Sequence, residues 1–409
     1  MKTQAAVIYS GQPGFRYETV EIEPPRADEI LVRVPGVGLC HTDLVFSSGA
    51  APYPFPAVLG HEGSGVVETV GADVQKVRPG DSVLITFRSC GACDRCRDGD
   101  AAYCRTMPML NYTGRRTDGT SALSNEAGPV SSNFFGQSSF AGHAITYERN
   151  VVKVDPGLPV EIMGPLGCGI QTGAGAVMRS LAAKKGSSLL VTGGGSVGLS
   201  AVMGAKIQGC ATIILVEPME SRRQLAMELG ATHCIDPIAQ PDVAAAVRAI
   251  APLGVDNALD TTGIPAVQTA ALATLGSKAT LGLVGVSAPG TPMPGDVNTV
   301  MTFGQSVKGI IEGDSDPDAF IPELIEHYKA GRLPFDKLVK TYRLSDINEA
   351  IEAQNHGDCV KAILIPWALR ASPSRRVASG QGLRDEYVTR LPHRQKRARA
   401  NSRGEIIVS

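Results

Sequence analysis

A chain of 409 residues, 43% hydrophobic and 19% charged, carries enough apolar material for two packed domains and too much to remain unfolded. Its formal net charge of −1 excludes a chain-wide attraction to nucleic acid or to an anionic membrane. No uninterrupted apolar run approaches the roughly 18–20 residues of a membrane span, and the apolar run in the opening "MKTQAAVIYSG" is too short for a secretory leader, so a cytoplasmic location is expected.

Up to about Pro165 the chain is predicted to be β-rich. "AAVIYS", "EILVRVPGVGL", "GSGVVETVG" and "DSVLITF" are short β-branched runs punctuated by Gly, Pro and Asp. Within this half, residues 89–104 read "SCGACDRCRDGDAAYC" and hold four of the nine cysteines: Cys90, Cys93, Cys96 and Cys104. A disulfide cluster, an iron–sulfur site, a catalytic metal and a structural metal are the candidates. A reducing cytosol disfavours disulfides. The bacterial ferredoxin run needs a shorter last gap and a following proline, whereas Cys104 is followed by Arg105. Four thiolates suit a closed tetrahedral zinc site that pins a loop and leaves no position for substrate.

The middle of the chain alternates strand and helix. "SSLLVTGGGSVGLSAVMGAKIQG" is a strand, a glycine turn and a helix; "ATIILVEP" is a second buried strand; "SRRQLAMELGAT" is a helix stopping at Gly230. "NALDTTG", "IPAVQTAALATLG" and "ATLGLVGV" continue the alternation, which predicts a parallel sheet covered on both faces. The turn contains G-x-G-x-x-G as Gly193, Gly195 and Gly198, and Glu217 ends the next strand nineteen residues further on. Gly193 permits the tight turn, Gly195 lets the backbone approach a pyrophosphate, and Gly198 lets helix and strand pack closely. Glu217 is placed to accept from the adenosine ribose hydroxyls and to repel a 2′-phosphate, which favours NAD over NADP. Arg222 and Arg223 lie close behind and weaken that discrimination.

After "VKGIIEGD" the alternation ends. "FIPELIEHYKAGRLP" and "INEAIEAQNHG" are predicted helices and "VKAILIP" a closing strand. Residues 367–409 differ in kind: ten Lys and Arg stand against three acids, with few bulky apolar residues at any period. A disordered, solvated tail is expected.

Three further places offer metal ligands: Cys40 in "GLCHTD", His61 in "GHEGSG" and Cys168 in "GPLGCGIQTGAG". Two thiolates and an imidazole form an open zinc site with a position free for water or substrate. Their spacing does not assemble them. Singly, each cysteine also reads as a small buried hydrophobe and His61 as a loop histidine.

"GHEGSGVVETVGADVQKVRPGDSV", "GLCHTD", the four-cysteine lobe and "VTGGGSVGLSAV" together resemble the zinc-dependent medium-chain alcohol dehydrogenases, over nearly all of residues 1–366. "LNYTGRRTDGTSAL", "FFGQSSFAGHA" and "GPLGCGIQTGAGAV" are most similar to the aryl-alcohol (benzyl-alcohol) members. The resemblance implies an α/β fold: a Rossmann NAD-binding domain, residues 170–311, beside a β-rich GroES-like catalytic domain, residues 1–169 and 312–366. It implies two zinc ions and NAD as cofactors. Cys40, His61 and Cys168 would hold the catalytic zinc, with Glu62 an occasional ligand behind it and Asp43 orienting His61. Cys90, Cys93, Cys96 and Cys104 would hold the structural zinc. Thr42 would take the proton of the alcohol and pass it to the nicotinamide ribose. His41 and Lys361 fall where the family meets the coenzyme pyrophosphate, and Arg222 where it touches the adenosine ribose.

Val45 departs from the family, many of whose members have a relay histidine there; the proton then leaves through His41 or directly to water. The implied reaction is reversible oxidation of a primary aromatic alcohol to its aldehyde by NAD. The alternatives are the same chemistry on aliphatic, terpenoid or thiol-adduct alcohols, and a non-catalytic zinc- and nucleotide-binding scaffold. A small-molecule substrate and a homodimer or homotetramer are expected, paired through a sheet edge for which "ATLGLVGVSAPG" is the candidate.

Overall fold

A computed structural model describes residues 1–367; residues 368–409, nearly all of the expected tail, lie outside them. Trp367 does not belong to that tail. Its ring packs edge-on to His143 with centroids 5.4 Å apart, and its indole N–H donates to the Val34 carbonyl at 3.0 Å.

The β-rich part is built on the long strand Glu29–Gly38, which pairs antiparallel with Glu62–Val70, His143–Tyr147 and Lys361–Ile365. The register decides where the chemistry goes. Gly38 lies opposite both Glu62 and Ile363. Cys40, two residues past the end of one strand, and His61, one before the start of the next, therefore leave the sheet at the same edge. Lys361 arrives there on the third strand. A second, five-stranded sheet contains Lys2–Ile8 paired antiparallel with Phe15–Ile22.

The nucleotide-binding part is a six-stranded parallel sheet, as the alternating pattern requires. Numbered along the chain, its strands are Ser188–Thr192, Thr212–Val216, His233–Ile235, Val255–Asp260, Leu275–Leu283 and Ser306–Gly309, and their spatial order is 3-2-1-4-5-6. The order reverses between the first and fourth strands, and the crevice beyond their carboxyl ends is the binding position of such sheets. Alternation along the first strand divides the core: Leu189 and Val191 face one hydrophobic layer and Leu190 the other.

The edge of this sheet is not where the sequence placed it. Most of "ATLGLVGVSAPG" lies in or just beyond Leu275–Leu283, which pairs on both sides. The free edges are His233–Ile235 and the short strand Ser306–Gly309, the latter inside a stretch read as the end of the repeat. Four residues with one Ser, one Lys and one Gly carry too little apolar periodicity to register as a strand. The helices meet expectation: Glu220–Leu229 is capped by Gly230, Ile347–His356 by Gly357, and Pro317–Lys329 stops just before Gly331.

Candidate active site

Asp43 organises the centre of the site. It lies in the first turn of helix His41–Ser47 and is fully buried. One carboxylate oxygen accepts from the Cys40 N–H at 3.0 Å; the other accepts from the Gly60 N–H and faces His61 Nδ1, each at 3.0 Å. One side chain thus ties the Cys40 loop to the His61 loop and leaves His61 Nε2 as the free ring nitrogen. Nε2 is buried without a hydrogen-bond partner.

Cys168 completes the group from the start of helix Gly169–Gly175, and the ligand atoms of Cys40, His61 and Cys168 lie within 4.8 Å of one another. A buried imidazole nitrogen with no partner, aimed at two thiols, fits a zinc ion. Contact with Cys168 holds the Cys40 thiol well below its ordinary value, while the same contact and burial push Cys168 well above it. Burial alone would lower His61, but Asp43 and Cys40 raise it well above the usual imidazole range. A divalent ion would displace the shared protons. The Thr42 hydroxyl lies 3.8 Å from Cys40 Sγ, at the mouth of the group.

Glu62 and Lys361 form a buried ion pair behind the trio. Lys361 Nζ donates to both Glu62 oxygens, at 2.9 and 3.0 Å, and to the Leu39 carbonyl at 3.0 Å. These contacts take up the three ammonium protons, and Lys361 also borders the coenzyme cleft. Glu62 also accepts from the Gly169 N–H at 3.1 Å. Register across the closing strand, invisible in the sequence, turns the ammonium inward.

Sequence reading missed two features. The first is an aromatic wall. Phe135 stacks on the His61 imidazole at 4.4 Å with planes 23° apart, and Phe134 meets it edge-on at 5.5 Å. Phe46, Tyr53 and Tyr112 pack on these two phenyl rings at 5.0–5.3 Å, and Phe46 meets Tyr112 at 5.4 Å. Phe135 has φ +51°, a conformation rare for a bulky residue and found where a site demands it. Low overall aromatic content (5%) hid this local concentration. The second is Glu312, 6% exposed, whose carboxyl is pushed up to about 7 by burial. Its only sequence signal was an acid between apolar residues and glycine in "IIEGD".

The four-cysteine lobe closes as its spacing requires. Cys90 Sγ lies 3.9 Å from Cys96 Sγ, and Cys93 Sγ 3.6 Å from it. Tetrahedral zinc–thiolate geometry sets such separations at about 3.8 Å. The Ala92 N–H, seconded by that of Cys93, holds the Cys90 thiol down to about 6, whereas burial pushes Cys96 up to about 12. The lobe's own apolar core is only Met107 and Leu110 beside buried Cys104.

A cleft of about 740 Å³ lies at the switch point, bordered by the glycine turn, Glu217, Arg222, Cys40 and His41. Gly193 has φ +95°, and a Cβ on Gly198 would collide with the Gly193 carbonyl. A Cβ on Gly195 would meet open space, the room a pyrophosphate needs. Helix Ser196–Gln208 starts there with no side-chain cap, so its first N–H groups point into the cleft. Glu217 accepts from the Gly194 N–H at 2.6 Å and the Met219 N–H at 2.8 Å. Arg222 borders the cleft with a buried Nε lacking a partner, while Arg223 turns away to Asp236 at 3.1 Å.

A dinucleotide crevice opening onto a buried Cys–His–Cys group defines a metal- and nucleotide-dependent oxidoreductase. Family models support this: the alcohol dehydrogenase GroES-like domain matches residues 26–156 and the zinc-binding dehydrogenase model residues 196–329. The chain is 46% identical to geraniol dehydrogenase of Castellaniella defragrans over 366 residues, 89% of this chain and 98% of that protein. It superposes on the crystal structure of benzyl alcohol dehydrogenase from Acinetobacter calcoaceticus with TM-score 0.86 at 41% identity, covering 89% of this chain and 99% of that one. An alcohol dehydrogenase zinc-binding domain protein from Burkholderia ambifaria gives TM-score 0.87 at 48% identity over the same shares. The chain belongs to the zinc-dependent medium-chain alcohol dehydrogenases, whose cofactors are zinc and NAD. No described helix is long and apolar enough to cross a membrane.

Proposed function

We propose that this enzyme oxidises primary benzyl-type alcohols to aldehydes, reversibly, with NAD as the hydride acceptor. The observation that carries the reading is the aromatic wall of Phe46, Tyr53, Tyr112, Phe134 and Phe135 against His61. Stacked and edge-on rings favour a flat π system beside the reacting carbon. Allylic terpenoid alcohols are the second reading, favoured by the 46% identity to a geraniol dehydrogenase. Both substrates place a double bond next to the carbinol carbon.

In this proposal Cys40, His61 and Cys168 hold the catalytic zinc, and Cys90, Cys93, Cys96 and Cys104 the structural one. When bound, zinc would supply Lewis acidity that lowers the pKa of the alcohol, and NAD would supply the hydride acceptor. Thr42 accepts the alcohol proton at its hydroxyl and relays it toward His41 or water, since Val45 offers no base. Asp43 fixes the His61 tautomer. Glu62, braced by Lys361, supplies negative charge behind the trio. The glycine turn at Gly193, Gly195 and Gly198 seats the pyrophosphate, with His41 beside it, and Glu217 and Arg222 receive the adenosine ribose. A cytoplasmic homodimer or homotetramer completes the proposal.

The test is initial-rate NADH formation from benzyl alcohol, geraniol and ethanol. Benzyl alcohol at least matching geraniol and far exceeding ethanol is the expected order. Ethanol leading would overturn the π-substrate reading, and geraniol leading would move it to terpenoids. Glu217→Ala should raise the KM for NAD about tenfold, the scale of one charged hydrogen bond. It should also narrow the advantage over NADP; an unchanged NAD/NADP ratio of kcat/KM would remove Glu217 from coenzyme choice.

A further inference from the structure

The chain crosses between its β-rich and nucleotide-binding parts twice. It goes out through helix Gly169–Gly175 and then Ala176–Ser180, a π-helical turn of a kind found mostly at functional sites. It returns from the edge strand Ser306–Gly309 through residues 310–315 to helix Pro317–Lys329. The two crossings press on each other: a Cβ on Gly175 would come within 2.9 Å of Gly313. Ala182, Glu312 and Asp314 have φ of +45°, +50° and +51°, a region that non-glycine residues adopt rarely and mostly where a site requires it.

One carboxylate joins both crossings. Asp314, its side chain 13% exposed, accepts from Ser180 Oγ at 2.6 Å on the outgoing crossing, and the same oxygen lies 2.8 Å from Lys308 Nζ at the sheet edge. Its other oxygen accepts from the Tyr103 hydroxyl at 2.6 Å. That hydroxyl accepts from the Ile311 N–H at 3.3 Å and lies 3.1 Å from the Gly309 carbonyl. Tyr103 ends the short turn Ala101–Tyr103 of the four-cysteine lobe, just before Cys104 and 211 residues from Asp314 in the chain. Among the described residues, every polar partner of its hydroxyl lies on the edge strand or the return crossing. The lobe places this phenol without using it internally.

The coenzyme cleft takes one wall from each part: the glycine turn, Glu217 and Arg222 from one, Cys40, His41 and Gln354 from the other. The angle between the parts therefore sets the width of the cleft and the reach from a seated coenzyme to the trio. A misplacement of about 1 Å between reacting groups costs on the order of a hundredfold in rate. We propose that Tyr103 is a positioning residue for the coenzyme: through Asp314 it fastens both crossings to the four-cysteine lobe and so holds the cleft at its binding width. The lobe is then an arm that reaches the hinge as well as a local staple. The inference rests on NAD as the coenzyme but not on the identity of the alcohol.

The experiment compares Tyr103→Phe with the wild-type, zinc-loaded enzyme at one fixed pH. Phenylalanine keeps the ring and removes only the hydroxyl. The KM for NAD with benzyl alcohol, and the Kd for NADH by calorimetry without alcohol, should both rise on the order of tenfold, the scale of one charge-assisted hydrogen bond. The kcat should stay within about twofold, because saturating coenzyme restores the binding-competent arrangement. A purely structural role would lower Tm and leave KM and Kd unchanged; that result overturns the proposal, as does a loss of kcat at unchanged KM. Should Tyr103→Phe lose zinc or fail to fold, Asp314→Ala, which leaves the lobe intact, carries the test. It must raise the Kd for NADH at least as much, and an unchanged Kd overturns the proposal. Adding Tyr103→Phe to Asp314→Ala should change that Kd by less than about twofold, since the partner is already gone. A further tenfold rise would mean that the hydroxyl acts elsewhere, and would also overturn it. Wild-type enzyme that binds NADH but turns over none of the three alcohols would sink the substrate reading and leave the Kd comparison still decisive.

Discussion

Cys40→Ser is expected to abolish turnover with every alcohol, by at least about three orders of magnitude, while the protein stays folded. The physical reason is the size of the zinc contribution. Polarising the alcohol oxygen is worth several kcal/mol, and each 1.4 kcal/mol or so is a factor of ten in rate. Serine keeps the volume of cysteine but not its thiolate, and the remaining pair, His61 and Cys168, cannot close an open tetrahedral site. The fold survives because Cys40 lies past the end of Glu29–Gly38, whose ladder is made by backbone groups. Asp43 still accepts from the residue-40 N–H, which a side-chain change leaves in place. Metal analysis, circular dichroism and steady-state rates check the three parts together. Full activity in this variant would refute the assignment of the catalytic zinc.

Cys104→Ser should act on stability instead. Zinc content is expected to fall from two ions per chain to one, corresponding to the two ligand groups, and the lobe around 90–111 should become sensitive to protease. Binding of structural zinc in small modules supplies on the order of 10 kcal/mol. Here it replaces a core that amounts to Cys104, Met107 and Leu110. A fall in Tm of more than about 5 °C is the expected reading. Activity should drop as well, though less than in Cys40→Ser. Tyr112 packs against this small cluster and also against Phe46 and Phe135, so a loosened lobe disturbs the wall beside His61. A variant with both zinc ions and an unchanged Tm would show that the four thiols are not a metal staple.

The two sites differ in how readily the sequence discloses them, and the cause is chain distance. Cys90, Cys93, Cys96 and Cys104 fall within fifteen residues, so local turns bring them together and spacing alone reads as tetrahedral. The glycine turn and Glu217 are legible for a similar reason: one strand–turn–helix–strand unit contains both. The alternation of strand and helix also carried the parallel sheet, and the helix stops at Gly230 and Gly331 were visible as residues suited to a positive φ.

Cys40, His61 and Cys168 span well over a hundred residues, and only resemblance to a family grouped them beforehand. In the fold, antiparallel register sets Gly38 against Glu62 and so brings the first two side by side; the helix entering the second domain adds Cys168. The edge strand Ser306–Gly309, the inward turn of Lys361, the docking of Trp367, the aromatic wall and the burial of Glu312 were likewise decided by tertiary structure. Local composition determines which segments become strand, helix, turn and metal loop, because those preferences are set by neighbours a few residues apart. Which side chains meet across the sheet, and which charges are buried without a partner, depends on pairings between residues far apart in the chain, and no local pattern encodes those.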